Sequence, residues 1–446
     1  MRKFFYKVCY FLSPLLPIAA LYQANPDRYA GNLIITFAMI AGASAYTWLI
    51  LQFVLSARPK RAEIHFGMDR LYRVHGLMGV IAIISILLHQ TVYEEQFGET
   101  WLTSVGTVGM GIFIGVGGIT ILLMVNSFIT KIFPINWVRK TIESFKIFKY
   151  EHYILVHNLT VVGLILMVTH VLLSSSAQNS SFVFAVFLGY FVLGAVFYLY
   201  HKFIKYRILE KKWYVVNDVT QESNNMWCLK FEPEKGEIIK YKPGQFGFYK
   251  VIGEKISAEE HPFSLSSSPT NGSHLSVTVK ELGDFTSKIK NVKKGDHVLV
   301  DAPYGRFTYL VHPKEEATVF IVGGVGITPA LSMLRYMRDA EPDRKALLIW
   351  GMNTMNDFIH REEFENMANE MKNLHVVPVV SRDKEWEGYK GHIDYEKIKR
   401  ILDENGMPAN TGFYLCGPPM LMDSTIKNLK LLGIKNKYIH FEKFSL

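Results

Sequence analysis

Apolar positions fall into two regimes along this chain. Through residue 212 they form long, nearly unbroken stretches separated by short polar segments; from residue 213 onward they come in short runs with polar alternation and frequent turn residues. A helix that crosses a bilayer needs about 20 predominantly apolar residues. Six stretches meet that length: 4–22, 31–55, 71–92, 105–129, 152–173 and 182–204. Pro14 and Pro17 interrupt the first. Arg2 and Lys3 before an apolar run also match the opening of a signal peptide, but no small-x-small cleavage site follows, so a retained helix is expected. The second regime begins with strand-like runs KWYVVNDV, MWCLKFEP, QFGFYKV, HLSVTVKEL and DHVLVDAP, then alternates strands with helices. The expected fold class is multi-domain: a six-helix transmembrane bundle over 1–210, a β-barrel domain over 211–314 and an α/β Rossmann-like domain over 315–446.

Charge follows the same division. Residues 1–212 carry 19 Lys and Arg against 9 Asp and Glu, and the remainder carries 30 against 31. The formal excess of +9 therefore sits in the membrane half, and no nucleic-acid partner is expected. The basic residues occupy alternate loops. Arg2, Lys3 and Lys7 precede the first span; Arg58, Lys60, Arg61, Arg70 and Arg73 follow the second; Lys131, Arg139, Lys140, Lys146 and Lys149 follow the fourth; Lys202, Lys205, Arg207, Lys211 and Lys212 follow the sixth. The opposite loops hold Arg28 and the acidic Glu94, Glu95 and Glu99. Lys and Arg concentrate in cytoplasmic loops. A multi-pass plasma-membrane protein is expected, with both termini and the whole second half cytoplasmic. The three cysteines, Cys9, Cys228 and Cys416, are far apart with no CxxC, which argues against disulfide stapling and structural zinc.

Four histidines change the picture of the membrane half. His75 and His89 lie on the third span, His157 and His170 on the fifth. Ionisable residues at membrane depth are costly and usually functional, and histidine is a common axial ligand of haem iron. Both spans run in the same direction, so His75 pairs with His157 at one level and His89 with His170 at the other. The two spacings rise about 21 and 20 Å along a helix. Two six-coordinate haems are expected, of b type because no CxxCH is present. Rotation is less favourable: His75 and His89 fall within about 40° of one face, but His157 and His170 come out about 140° apart. A kink, overwinding or roll of the fifth span is expected, with Gly163 as its place. His65 and His201 lie in basic flanks and are expected to be solvated. Arg70 and Arg73 are placed either to neutralise propionates of the inner haem or to anchor the interface.

In the second half, His261-Pro262-Phe263-Ser264 precedes Gly283-Asp284-Phe285-Thr286, where a glycine and a hydroxyl open a predicted helix. Such helix starts offer free N–H groups to phosphate. The strand Thr318–Val322 runs into Gly323-Gly324-Val325-Gly326-Ile327-Thr328-Pro329 and a helix that Thr328 can cap. The glycines let backbone approach a pyrophosphate, though a proline stands where the usual third glycine would be. Tyr414-Leu415-Cys416-Gly417-Pro418-Pro419-Met420 leaves another strand and opens another helix.

Together these stretches resemble the ferredoxin-reductase-type flavin and pyridine-nucleotide module over 213–446. HPFS is similar to its [RH]-x-[YF]-[ST] flavin motif, GGVGITP to its G-x-G-x-x-P loop, YLCGPPM to its CGPP motif, and His440–Phe444 to its aromatic tail. The first half resembles the ferric reductase-like transmembrane domain through the two histidine pairs, including His157-Asn158-Leu159. The chain is thus similar to compact prokaryotic members of the ferric reductase and NADPH oxidase superfamily. Gly163 and Tyr93 depart from the eukaryotic oxidases, which carry an aromatic between the haems and an extra outer histidine, so oxygen-site chemistry transfers less directly than the haem wire. No EF-hand loop is visible.

The resemblance implies FAD, two haem b groups and NADPH or NADH. Ser264 would act near the flavin N5, with His261, Pro262 and Phe263 beside the ring system and Gly283 and Thr286 at its pyrophosphate. Gly323, Gly324, Gly326, Thr328 and Pro329 would shape the nucleotide phosphate site. Cys416, with Gly417 and Pro418, would place the nicotinamide C4, and Phe444 would occupy its slot until displaced. Ser381-Arg382, with Lys384 and Lys390, would favour NADPH, although the loop after Trp350 reads Gly351-Met352-Asn353 without a cation. The function implied is electron transfer from cytoplasmic NAD(P)H through FAD and two bis-histidine haems to external oxygen, forming superoxide. Its alternatives are a ferric-chelate reductase with the same wire, electron delivery to a periplasmic protein, a haem-free membrane-anchored flavoprotein and a nucleotide-binding sensor. The partners implied are a small-molecule acceptor and membrane lipid, with no obligatory protein.

Overall fold

The computed structural model describes residues 2–97, 100–124, 135–144 and 150–442. Glu99, Lys131, Lys146, Lys149 and Phe444 lie outside them. The chain folds as two units that part between Ile204 and Lys205. The expected boundary at 210 moves because the short helix after the break belongs with the second unit: Lys205 forms a buried ion pair with Asp301 at 2.5 Å.

Among the described residues, every regular element of the first unit is a helix. In chain order it contains α1 (Arg2–Leu12), α2 (Leu15–Ala24), α3 (Pro26–Ala30), α4 (Leu33–Ser56), α5 (Lys60–Phe66), α6 (Met68–Phe97), α7 (Trp101–Met124), α8 (Ile135–Ser144), α9 (Tyr150–Leu172), α10 (Ser175–Gln178) and α11 (Ser181–Leu199). Six spans in it are long and apolar enough to cross a membrane, and the last runs on through α12 (Lys205–Leu209). The first span is broken where proline removes a donor: α1 ends before Pro14, and Ser13 Oγ donates back to the Tyr10 carbonyl at 2.6 Å. Asn32 caps α4 by accepting from the Ile34 and Ile35 N–H groups at 3.1 Å, and Ser180 caps α11 through Val183.

Helix α4 packs along α6, and α7 along α9. The second pair is in close contact because glycines face each other. A Cβ on Gly163 would lie 3.2 Å from Ile112 and Phe113, and one on Gly109 would lie 3.3 Å from the Gly163 carbonyl. Small residues let membrane helices approach in this way. The irregularity expected at Gly163 is therefore absent; α9 is continuous from Tyr150 to Leu172, and Gly163 is a point of contact.

The second unit contains two sheets. Strands β1 (Tyr214–Ser223), β2 (Met226–Pro233), β3 (Phe246–Ile252), β4 (Glu260–Ser264), β5 (Leu275–Lys280) and β6 (His297–Tyr304) form an antiparallel sheet in the order β4-β3-β6-β1-β2-β5. Its edges meet through a single bridge, Leu265 opposite Val277, and Ser266 N–H donates to the Ser276 carbonyl at 2.8 Å. The expected barrel is thus pinched together at one point and is not closed by a continuous ladder. Strands β7 (Ala317–Gly323), β8 (Lys345–Met352), β9 (Leu374–Val380), β10 (Tyr389–Lys390), β11 (Thr411–Cys416) and β12 (Ile439–Phe441) form a parallel sheet in the order β10-β9-β8-β7-β11-β12. Helices α13 (Ile327–Ala340), α14 (Arg361–Glu370), α15 (Tyr395–Asn405) and α16 (Pro419–Leu431) are interspersed with these strands, and two apolar cores pack around the sheet. Strand order reverses between β7 and β11, the topological switch point where open α/β sheets bind ligands.

Replacing Gly163 by Leu is expected to push α7 from α9 and cost about 1–3 kcal/mol. A lowered thermal midpoint of the detergent-solubilised protein measures it. Gly115, where a Cβ meets nothing within 4 Å, is the matched control and should leave the midpoint unchanged on substitution by Leu.

Candidate functional site

The membrane unit brings its four histidines together as two pairs. At the first level the His75 and His157 rings stand 6.1 Å apart, centroid to centroid, at 58°. Two imidazoles sharing one metal at about 2.0–2.1 Å per nitrogen place their centroids roughly 6 Å apart. Thr120 Oγ1 lies 3.5 Å from His157 Nδ1 and donates its own proton to the Val116 carbonyl at 2.8 Å. His75 Nδ1 is buried and has no hydrogen-bond partner among the described residues.

At the second level His89 Nδ1–H donates to the Ala38 carbonyl of α4 at 2.9 Å, and His170 Nδ1–H donates to the Leu102 carbonyl of α7 at 2.8 Å. A carbonyl only accepts, so each Nδ1 carries the proton and each Nε2 lone pair is left for a metal. Histidines that ligate metals use this device. The two anchors share a construction. Four residues beyond each carbonyl stands a glycine, Gly42 after Ala38 and Gly106 after Leu102. A Cβ on Gly42 would lie 2.7 Å from His89 Nδ1, and one on Gly106 would lie 3.0 Å from His170 Nδ1. Each ring thus reaches its carbonyl across the gap that the missing side chain leaves. Both histidines line one cavity of about 640 Å³, together with Phe113 and Arg28. That volume suits a cofactor, since ligand sites span about 300–1,000 Å³. The residues fit paired bis-imidazole haem ligation. His170 lies within about 20° of the Gly163 face that meets α7, while His157 lies about 120° around the helix and reaches Thr120 only at the outer limit of a hydrogen bond. Arg70 and Arg73 are exposed on α6 a turn or so before His75.

In the antiparallel sheet, His261, Pro262, Phe263 and Ser264 occupy edge strand β4, all half-buried. Phe285 stacks on the His261 ring at 3.8 Å and 22°. Sequence reasoning passed over Phe285; the aromatic between Gly283 and Thr286 was its signal. The helix expected at this point is a six-residue 3-10 turn, Thr286–Asn291. Just before it, Thr286 Oγ1 accepts from the Leu282 and Gly283 N–H groups at 3.0 and 2.9 Å, and within it the Ser287 N–H donates to the Gly283 carbonyl at 2.9 Å.

The parallel sheet brings the two glycine-proline loops together at the switch point. A Cβ on Gly326 would collide with the Cys416 carbonyl, and one on Gly323 would lie 3.1 Å from the Pro418 ring. Gly324 adopts φ 53° and accepts from Trp350 Nε1 at 3.2 Å. Lys280, absent from the sequence-based candidates, brings Nζ to 4.0 Å from a Cβ built on Gly324 and so supplies a cation beside this loop. Helix α13 starts earlier than expected: its cap is Gly326, and Thr328 donates back to the Val325 carbonyl at 2.8 Å with Pro329 following in the first turn. Burial first, and the Glu442 carboxylate second, push the Cys416 thiol well above its ordinary range, so it stays protonated. Ser381 and Arg382 close the far end of β9 against β8: Ser381 N–H donates to the Met352 carbonyl at 3.0 Å and Arg382 N–H to the Asn353 carbonyl at 2.8 Å, leaving the Arg382 side chain exposed.

Comparison with known proteins matches residues 41–168 to the ferric reductase-like transmembrane component, residues 212–308 to an FAD-binding domain and residues 320–427 to an oxidoreductase NAD-binding domain. The chain is 30% identical over 224 residues to the gamma component of sulfhydrogenase 1 of Pyrococcus furiosus, covering 49% of this chain and 73% of that protein. It is 28% identical over 215 residues to a component of the Na(+)-translocating NADH-quinone reductase of Idiomarina loihiensis, covering 45% of this chain and 52% of that protein. The chain thus spans about half the length of that second relative. Among solved structures it is similar to the flavohem-like FAD/NAD-binding domain of nitric oxide dioxygenase from Vibrio cholerae, at 25% identity and a TM-score of 0.46 over 52% of this chain and 98% of that one.

Filling either gap beside an outer histidine tests the construction. Gly42→Val and Gly106→Val are each expected to break one Nδ1–H···O bond, worth about 1 kcal/mol net and more where the donor is left buried without an acceptor. Each should lower the b-type haem retained per chain on purification. Pyridine haemochrome absorbance measures this, with Gly118→Val, where nothing lies within 4 Å, as the control.

Proposed function

This chain belongs to the ferric reductase superfamily, in which a ferric reductase-like transmembrane component is joined to FAD- and NAD-binding domains, and from that premise we propose that it is a transmembrane NAD(P)H oxidoreductase. It takes electrons from cytoplasmic NADPH through FAD and two bis-histidine b-type haems to oxygen on the opposite face of the plasma membrane. The observation that carries this reading is the pair of outer imidazoles whose Nδ1–H groups are tied to backbone carbonyls, leaving both Nε2 atoms toward one cavity. The alternating basic loops support the cytoplasmic placement of the nucleotide module.

FAD held here would supply the change from two-electron chemistry with the nicotinamide to one-electron chemistry, and haem held by two imidazoles would supply one-electron transfer. The chain's own residues do the positioning. His75 and His157 hold the inner level, His89 and His170 the outer. Phe263, His261 and Phe285 offer flat surfaces to the flavin, and Ser264 offers a hydroxyl at the end of β4. Gly324 and Gly326 admit the nucleotide pyrophosphate to the backbone, and Lys280 balances its charge. Cys416, a neutral thiol, packs against the nicotinamide and does not attack it. The balance is one NADPH and two O₂ giving NADP⁺, two superoxide ions and one proton, with the nicotinamide C4–H bond broken and its electron pair divided between the two oxygens.

A dithionite-reduced minus oxidised spectrum is expected to show b-type haem. His89→Leu and His170→Leu should each lose one of two haems while NADPH still bleaches the flavin. Two haems retained in both variants would end the assignment. Superoxide release unaffected by iron chelators supports oxygen as acceptor, whereas ferric-chelate reduction that persists without oxygen assigns the same wire to metal reduction.

Arg382→Gln should lower kcat/KM for NADPH about 10- to 100-fold, the scale of a lost charge-assisted hydrogen bond. NADH turnover should barely change, and steady-state kinetics with both nucleotides measure the split.

A further inference from the structure

One cluster in the second unit has no part in the flavin and nucleotide roles assigned above, although its His440 is the first residue of the tail that ends at Phe444. His312 follows the short turn Tyr309–Val311, Glu315 stands two residues before β7, and His440 is the central residue of β12. Their ligand atoms all lie within 4.8 Å of one another. His440 Nε2 lies 2.5 Å from Glu315 Oε1, and the His312 and His440 rings stack at 3.9 Å and 25°. The Glu315 side chain is only 4% exposed and the His440 side chain 13%.

The surroundings orient these groups as the outer shell of a metal site does. Tyr414 OH donates to Glu315 Oε2 at 2.7 Å, and Tyr414 is the direct β11 neighbour of His440. The Glu315 backbone is held on both sides: its N–H donates to the His312 carbonyl at 3.0 Å, and its carbonyl accepts from Arg344 at 2.8 Å. A Cβ on Gly412 would collide with the carboxylate, so its seat exists only because β11 has glycine there. The arginine reaches the Glu315 carbonyl and not the carboxylate, whose oxygens meet Tyr414 and His440.

We infer that His312, Glu315 and His440 bind one divalent zinc ion. Two imidazoles and one carboxylate form a borderline nitrogen and oxygen donor set that suits zinc and leaves a fourth position for water. Zinc here clips β12, a three-residue edge strand, to the start of β7. The spacing of the cysteines argued against a thiolate site; these ligands come from two separated segments, residues 312–315 and β12, that only the folded sheet brings together. This inference does not depend on the haem assignment, because iron and zinc are counted separately.

The test uses the full-length detergent-purified protein, incubated with zinc chloride and freed of loosely bound metal by gel filtration. Elemental analysis is expected to find one zinc per chain. His312→Asn and His440→Asn should each reduce it to background, and His375→Asn, at an exposed position outside the cluster, should retain it. No stoichiometric zinc in the wild type, or a full equivalent retained in both cluster variants, overturns the inference. Zinc should also protect His312 and His440 of the wild type from diethyl pyrocarbonate, read by peptide mass spectrometry. Equal modification with and without zinc overturns the inference even where the variants fail to fold.

Discussion

An imidazole N–H inside a hydrocarbon layer has no water to bond, and the helices around it have already spent their carbonyls on their own ladders. The structure meets this constraint at His89 and His170 by letting each ring share a carbonyl that a neighbouring helix already uses. Sharing requires the ring to come close to the helix surface, and a side chain four residues on would block it. Gly42 and Gly106 remove that side chain. With Nδ1 committed, the tautomer and the direction of Nε2 follow, and the paired helices α4–α6 and α7–α9 become the two walls of one cavity. Ring geometry at the outer level is therefore set by backbone. At the inner level it rests on ring packing and the Thr120 hydroxyl, a looser arrangement.

The second unit solves a different problem with similar means. Its parallel sheet places the carboxyl ends of β7 and β11 side by side, so the two loops that leave them compete for the same space. Glycines at 323 and 326 let the loops meet at contact distance. The antiparallel sheet stays open along most of β4, the edge that carries His261 to Ser264. A fully closed ladder would occupy the face that this strand offers.

Most of this architecture was legible in the sequence because it follows from periodicity. Runs of apolar residues marked the six spans, with most ends within four positions; the sixth runs five residues further, the expected end of the fourth at 125–129 lies outside the described residues, and the matched 14- and 13-residue spacings announced two levels of histidine. What escaped depended on contacts between elements distant in the chain. An ideal-helix argument asked for a kink, overwinding or roll of α9 and placed it at Gly163, since it could not know that Gly109 lay opposite and made that glycine a contact point. Thr328 looked like a helix cap because a hydroxyl precedes a proline and an apolar run, yet the helix starts at Ile327, with Gly326 as its cap, and the hydroxyl turns back to Val325. The phosphate-binding helix expected at Gly283 shrinks to a short turn, and Thr286 Oγ1 takes up the Leu282 and Gly283 N–H groups that precede it. Phe285 and Lys280 became visible only when stacking on His261 and proximity to Gly324 were seen in space.

Both units thus reach their chemistry by bringing something close to a backbone, and in both the decisive residue is one without a side chain. In the membrane unit the approaching group is an imidazole and the target a carbonyl; at the switch point the approaching group is a second loop and the target the Cys416 carbonyl. Backbone atoms move less than side chains, because every shift must be shared with a helix or a sheet. Sites fixed in this way hold their geometry without strong individual interactions. That explains how neutral groups, histidines in an apolar layer and a buried protonated cysteine, serve here where charged residues would be too costly to bury. The positions that permit close approach are therefore as much a part of each site as the side chains that face it.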